Sequence, residues 1–332
     1  MSLRLAARAV FDAALEAADV RPLVHRALPE VRPPARGRVV VVGAGKASGA
    51  MAAAVEDTLG DHRIADGLVV VKDGYRAQTH RITLVEAGHP VPDARGEAAA
   101  RRIRALAEAA GADDLLLVLV SGGGSALTPA PVPPITLEDK QAMTRLLLAA
   151  GANINQLNAV RKHCSLLKGG QLARAAAPAR VHALLLSDVI GDPLDVIASG
   201  PTAPDASTFA EALTILERFD LRSRAPGSIV DRLERGRHGE ILETPKRDDP
   251  VFRAVTNTVI GNNRLVVEAA AARALALGYT PHLLTRALEG EAREVAGTLV
   301  ELARQIRDGR GPVTAPACVI AGGETTVTVR GR

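Results

Sequence analysis

The chain has 332 residues, 47% of them hydrophobic, and a formal net charge of +4. That apolar content excludes a disordered chain, and the length exceeds what a single core ordinarily organises, so two domains are expected. Aromatic residues amount to 2%, with no Trp, which removes the stacking platforms that single-stranded nucleic-acid binding uses.

Taken in chain order, residues 3–17 predict an amphipathic helix with Leu3, Ala7, Val10, Ala14 and Ala17 on one face. Pro29, Pro33 and Pro34 are expected to break helical structure after it. A β-branched strand over 38–42 runs into the turn Gly43-Ala44-Gly45-Lys46-Ala47-Ser48-Gly49 and a helix over 50–59, the opening of a βαβ unit. Strands over 68–71 and 82–85 come next, then a Gly-His-Pro turn containing His89, and a helix over 94–110. A fully apolar strand over 115–120 has the pattern of a central parallel strand and ends in Ser121-Gly122-Gly123-Gly124-Ser125. After a proline-rich loop over 128–134, Thr136 and Asp139 form a helix cap. Residues 155–177 read as helical with a weak point at Gly169-Gly170.

A buried strand over 181–186 then delivers a loop containing Asp188, Asp192 and Asp195. Helices over 208–219 and 227–235 lead into a charged, turn-rich segment over 236–250, where a domain boundary is placed. Beyond it come a strand over 255–260, Gly261-Asn262-Asn263, a helix over 264–277, a strand over 280–284 and a helix over 291–307. Strands over 317–320 and 325–329 flank Gly322-Gly323-Glu324. Strand and helix alternate almost throughout, so the class is α/β.

Composition narrows the setting. Arginines such as Arg101, Arg102 and Arg104 are spread along helical stretches, so the mild positive charge is a weak guide, compatible with small anionic substrates. The two cysteines, Cys164 and Cys318, show neither metal-ligand spacing nor a disulfide framework, and a reducing cytoplasm is the simplest compartment. Cys164 reads as a buried helix residue rather than a nucleophile, because no base matches it. No signal-peptide block and no run long enough to span a membrane are found.

Two glycine turns and one acidic loop carry the chemistry. Gly43-Ala44-Gly45-Lys46 misses the dinucleotide fingerprint, whose third glycine arrives one place late at Gly49, and also misses the P-loop pattern. A helix N-terminus beside Lys46 still favours an anion. Without Cβ atoms, Gly122, Gly123 and Gly124 allow successive N–H groups to cradle phosphate between Ser121 and Ser125. Asp188 and Asp192 flank Gly191, and paired carboxylates of this kind call for a cation such as Mg²⁺. Arg161 shares a helix face with Ser165, and Ser165 with Lys168; solvated helix charges are an equal reading for Arg161 and Lys162. His89 reads as a substrate contact or a turn residue, and the turn is favoured. Asn262 reads as a helix cap or as a ligand contact.

Together these stretches resemble the glycerate 2-kinase family, also called MOFRL-type glycerate kinases. The resemblance rests on Gly43 to Ala47, Gly88-His89-Pro90-Val91-Pro92, Ser121 to Leu127, Asn158 to His163 with Lys168-Gly169-Gly170, Ser187-Asp188 through Gly200-Pro201-Thr202, Gly261-Asn262-Asn263 and Gly322-Gly323-Glu324-Thr325. It implies a Rossmann-like parallel-sheet domain over 1–240 and a second, smaller α/β domain over 250–332, with the active site in a cleft between them. It implies transfer of phosphate from ATP, with Mg²⁺, to the 2-hydroxyl of D-glycerate or a similar hydroxy acid. Lys46, Asp188 and Asp192 would be catalytic. Asp188 and Asp192 would also hold the metal. Gly43, Gly45, Ser121, Gly122, Gly123, Gly124, Ser125, Arg161, Lys162 and Asn262 would bind nucleotide or substrate. Family members usually continue past the Gly-Gly-Glu-Thr strand into a glycine-arginine-asparagine-glutamine-glutamate motif. The chain stops at Arg332, so an incomplete second domain without a cleft arginine is expected. No nucleic-acid or membrane partner is expected, and a homodimer is compatible with the pattern. The rival readings are an NAD(P)H-dependent hydroxypyruvate reductase and a non-catalytic module that binds nucleotide or hydroxy acid.

Overall fold

Runs of valine and leucine dictate the central sheet. The structure, a computed structural model, describes residues 2–328. Strands β1 (Val39–Ala44), β2 (Ile64–Lys72), β3 (Thr83–Ala87), β4 (Leu115–Val120), β5 (Arg180–Leu186) and β6 (Val255–Gly261) are ordered β3-β2-β1-β4-β5-β6. β1 pairs in parallel with β2 and β4, β2 with β3, and β4 with β5. Every residue of β1 and β4 is buried, as parallel strands covered on both faces require. The remaining strands are β7 (Thr280–Leu288) and β8 (Ala317–Gly323), which pair with each other in parallel.

The helices in chain order are α1 (Leu3–Ala17), α2 (Val20–Val31), α3 (Ser48–Leu59), α4 (Ala94–Glu108), the one-turn α5 (Gly124–Leu127) and α6 (Leu137–Ala149). They continue with α7 (Ile154–His163), α8 (Gln171–Ala176), α9 (Phe209–Arg218), α10 (Gly227–Arg237), α11 (Asn263–Ala276) and α12 (Ala292–Arg307). The chain divides into two compact units, one spanning Val20–Ile260 and the other made of the residues up to Asp19 and those from Gly261 onward.

In the larger unit, alternation along the strands feeds two cores. Val40, Val42, Leu116 and Val118 pack with Ala99, Ala100 and Ile103 of α4 and with Leu172 and Ala176 of α8. Val39, Val41, Leu115 and Leu117 pack on the other face with Val24 and Leu28 of α2 and Met51 and Val55 of α3. Each of the valine, leucine, isoleucine and methionine side chains among them contributes about 1.5–3 kcal/mol on burial. A third cluster gathers α6, α7, α9 and α10 around Phe209. Reciprocal caps start three of these helices: Thr136 with Asp139, Asn153 with Gln156, and Thr208 with Glu211, each satisfying two otherwise orphaned donors.

Several boundaries differ from the sequence reading. α2 carries Pro29 near its end instead of breaking there, because Leu23, Val24, Leu28 and Val31 form one buried face that outweighs the lost hydrogen bond. The helical reading of 155–177 resolves into α7 and α8, separated where Gly169 and Gly170 adopt φ of 59° and 78°. In the segment over 236–250, Glu243 accepts from the Phe209 amide and Thr244 donates to Asp205, which ties it to the larger unit. The division falls instead at Ile260 and Gly261. Residues 325–328 hold a single bridge, Thr326 with Glu291, in place of a strand; Val329 lies outside the described residues.

The smaller unit is built on α1, α11, β7 and β8. Val10 and Ala14 of α1 are buried with Val267, Ala270 and Ala274 of α11 and Ile320 of β8. The apolar stripe of the first helix therefore groups it with the C-terminal segment rather than with residues 1–240.

Candidate functional site

Register brings the carboxyl ends of three strands level. Ala44 of β1 pairs with Val120 of β4, and Val120 with Leu185 of β5. Strand order reverses between β1 and β4, and open α/β sheets bind ligands at that point. Loops leave it after Ala44, after Val120 and after Leu186.

The first two loops lock together. A Cβ on Gly45 would lie 2.0 Å from Ser121 Oγ, so only glycine permits the approach. The Lys46 amide donates to Gly122 O at 2.9 Å and the Ala47 amide to Ser121 Oγ at 3.0 Å. Ser48 Oγ donates to Leu119 O, at 3.2 Å. The donors that the sequence offered to an anion at the start of α3 are thus used to join the turns. Gly43 also serves packing: its missing Cβ would meet Leu119 O at 2.1 Å. Gly124 lies against Ala44 O in the same way, at 2.7 Å.

The open amides are in the other turn. Gly122 and Gly123 lie between Ser121, which accepts from the Gly124 amide, and the start of α5. Their own N–H groups donate to no described residue. Gly123 takes φ of 87°, a left-handed conformation that glycine adopts without cost. Two side chains flank this turn. A Cβ on Gly122 would lie 2.1 Å from Asp188 Oδ2, and one on Gly123 would lie 2.9 Å from His89 Nε2 and 3.4 Å from Lys46 Cγ. Lys46, His89 and Asp188 therefore gather on Gly122 and Gly123. Burial, with help from Lys46 and Lys72 and against Asp188, pulls the His89 pKa below its usual value, so the imidazole is neutral at pH 7. From sequence alone the turn reading of His89 is favoured over a substrate contact. The signal that identifies it is its place after β3, beside two other strand ends.

Asp188 is exposed and forms no ion pair with any described residue. Asp192 follows on the next turn, with its amide donating to Val189 O and φ of 53°. Among the described residues no group of three or more His, Cys, Asp or Glu side chains gathers as for a metal. Magnesium, which usually takes one or two carboxylates and completes its shell with phosphate and water, is the ion that such a donor set fits.

Further along, the turn continues into a hydroxyl chain. Ser125 Oγ lies 2.9 Å from Ser199 Oγ, which donates to Asn158 Oδ1 at 3.0 Å. Since Ser199 spends its proton on Asn158, Ser125 donates to Ser199. Ala198 and Ser199 hold φ of 49° and 63°, uncommon for residues with side chains. Asn158 borders a cavity of about 270 Å³ lined also by Lys162, Asp195, Asp205 and Glu211. Buried Lys162 is committed there to Asp205 at 3.2 Å and Asp195 at 3.3 Å. Lys168, fully buried, donates to Ser125 O at 2.7 Å and Thr128 O at 3.3 Å. Burial holds its pKa well below the lysine range. Cys164 is 2% exposed, and burial pushes its thiol up to about 11, as its inert reading requires. Asn262 belongs to the smaller unit, where its side chain caps α11 by accepting from the Leu265 amide.

Comparison with known proteins fits this arrangement. Residues 6–234 match the family described as "Domain of unknown function (DUF4147)". An Agrobacterium vitis protein provisionally named a hydroxypyruvate reductase is 44% identical over 99% of this chain and 72% of its own length. The glycerate 2-kinase of Pyrococcus horikoshii is 41% identical over 90% of this chain and 66% of its own. The crystal structure of a glycerate kinase from Thermotoga maritima superposes with a TM-score of 0.86 at 37% identity, covering 99% of this chain and 75% of that one. The chain belongs to the DUF4147 family and to the glycerate 2-kinase family that its motifs resemble.

Proposed function

We propose that the protein transfers phosphate from ATP, with Mg²⁺, to the 2-hydroxyl of D-glycerate, giving 2-phosphoglycerate. The observation that carries this reading is the gathering of Lys46, His89 and Asp188 on the open Gly122–Gly123 amides where β1 and β4 part. Phosphoryl transfer asks mainly for positioning and charge neutralisation, and these groups supply both. The two amides form a nest for phosphate oxygens, and Lys46 adds the compensating charge. Asp188 and Asp192 would hold Mg²⁺, whose bound charge neutralises the transferring phosphoryl group. Neutral His89 stands beside the same turn and is suited to accept a hydrogen bond from the attacking hydroxyl. Ser121 fixes both turns through its hydroxyl, so the cradle is set before a ligand arrives.

The name given to the Agrobacterium relative keeps the reductase as a second reading. One assay separates the two. ADP release that depends on D-glycerate and Mg²⁺, with phosphate located at the 2-position by NMR, is the expected result. Hydroxypyruvate-dependent loss of NADH absorbance without ADP release would replace the kinase with the reductase.

A further inference from the structure

The carbonyls that surround the Gly122–Gly123 turn are answered by backbone amides. Ser121 O accepts from Gly124, Gly122 O from Lys46, Gly123 O from Leu127 and Gly124 O from Thr128. Ser125 O breaks the series. Its helical donor would be the N–H of residue 129, and Pro129 has none. Thr128 O fares no better, since Val132, four residues on, gives its amide to Cys164 O. A one-turn helix that runs into a proline-rich loop thus has carbonyls its own backbone cannot satisfy. The side chain of Lys168 takes both: its Nζ donates to Ser125 O at 2.7 Å and to Thr128 O at 3.3 Å.

Lys168 is 2% exposed, and burial favours its uncharged amine, whose two N–H groups match the two carbonyls in number. The next residue completes a bracket. The Gly169 amide donates to Ser199 O at 2.9 Å, and Ser199 Oγ is bonded to Ser125 Oγ. Beside α5 a cavity of about 30 Å³ is lined by Gly43, Ala44, Gly124, Thr128, Lys168 and Ala198, so packing leaves that side of the helix incomplete. Other cations nearby do not share the task. Among the described residues, Lys162 is paired with Asp195 and Asp205, and Arg161 in the last turn of α7 has no partner. Lys140 donates to Pro129 O at 2.6 Å and Cys164 O at 3.3 Å, which ties down the loop after α5 and not α5 itself. We infer that Lys168 is a positioning residue for the phosphate cradle: by holding the carbonyl end of α5 it fixes where the Gly122 and Gly123 amides point. It acts through α5 rather than on the ligand. The inference rests on the phosphate-binding half of the kinase reading and is tested by nucleotide binding as well as turnover.

The test uses Lys168→Met, which removes both donors, and Lys168→Gln, which keeps two uncharged N–H groups on a shorter arm. Lys140→Met is the control for losing a buried lysine that anchors only the loop. Expected in Lys168→Met is a rise in ATP KM on the order of 10-fold, with the D-glycerate KM within about twofold of the parent and partial recovery in Lys168→Gln. Calorimetry with Mg²⁺ and a non-hydrolysable ATP analogue should show the same loss of affinity without turnover. Lys140→Met should lower the melting temperature, because it leaves buried carbonyls unpaired, and keep the parental ATP KM. Should Lys168→Met fail to fold, Ser165→Ala replaces it: Ser165 Oγ accepts from the Lys168 amide at 3.3 Å, and its loss should raise the ATP KM by roughly threefold. Parental ATP KM and analogue affinity in the folded variant would overturn the inference. So would an equal rise in Lys140→Met, or a parent that does not bind the analogue. A parent that binds the analogue without phosphorylating D-glycerate, and loses that binding in Lys168→Met, would remove the kinase reading and leave the inference standing.

Discussion

Gly122→Ala puts the site to a sharp test because it adds one methyl group against one catalytic candidate. The new Cβ would lie 2.1 Å from Asp188 Oδ2 and 2.8 Å from its Cγ, whereas ordinary contact begins at 3.4 Å. The carboxylate must therefore retreat by roughly 1 Å, a misplacement that costs about 100-fold in rate at a reacting centre, or about 2.7 kcal/mol in activation free energy. Stability should suffer far less. The obstructing group ends an exposed side chain that can swing aside, so the loss should be about 1 kcal/mol and the fall in Tm about 2–4 °C. Gly123→Ala is the useful contrast: its φ of 87° strains any L-residue, which adds about 1–2 kcal/mol to the steric clash with His89. Coupled measurement of ADP release with D-glycerate, alongside thermal denaturation, reads both quantities. A Gly122→Ala protein with parental kcat/KM would refute the placement of Asp188 at the reacting centre.

Two further outcomes rest on the same geometry. Asp192→Asn should retain the turn, because asparagine tolerates the left-handed conformation seen at this residue. Turnover should fall on the order of 100-fold if the charge lost is one that holds the proposed Mg²⁺; unchanged ADP release would take Asp192 out of the site. Asp114 accepts from the Arg38 amide at 2.7 Å, from Arg38 Nη2 at 2.6 Å and from the Gly111 amide at 2.9 Å, and the Arg38 side chain leads in holding its carboxyl down to about 2. Its stabilisation is therefore complete above the unfolded carboxylate value of about 4 and is lost as pH falls towards 2. Asp114→Asn should cost about 1–3 kcal/mol at pH 7 and flatten the acid limb of a stability profile; a profile of unchanged slope would count against it.

Much of this was legible in the residues. The apolar run of β4 followed by three glycines marks a central strand ending in a turn, and the valines of β1 do the same for the turn that carries Lys46. The acidic loop after β5 could be placed at a strand end before any coordinates. What stayed hidden is non-local. No spacing rule shows that Ser121 spends its hydroxyl on the neighbouring turn, that His89 faces Gly123, or that Lys162 is paired while adjacent Arg161 is not. Each of these depends on residues tens of positions away. Pro29 misled because propensity was weighed without the buried face that overrides it. The first helix misled because its stripe says that it must be covered, not by which distant segment.

The allegiance of α1 has a consequence for biosynthesis. Its apolar stripe has to wait for α11, which leaves the ribosome only after the whole span from Val20 to Ile260. At about 5–20 residues per second this delay lasts on the order of tens of seconds. During that time the contiguous unit can mature on its own sheet, while α1 remains an unshielded adhesive patch. Nascent chains stalled before residue 263 should therefore be the ones most dependent on chaperones.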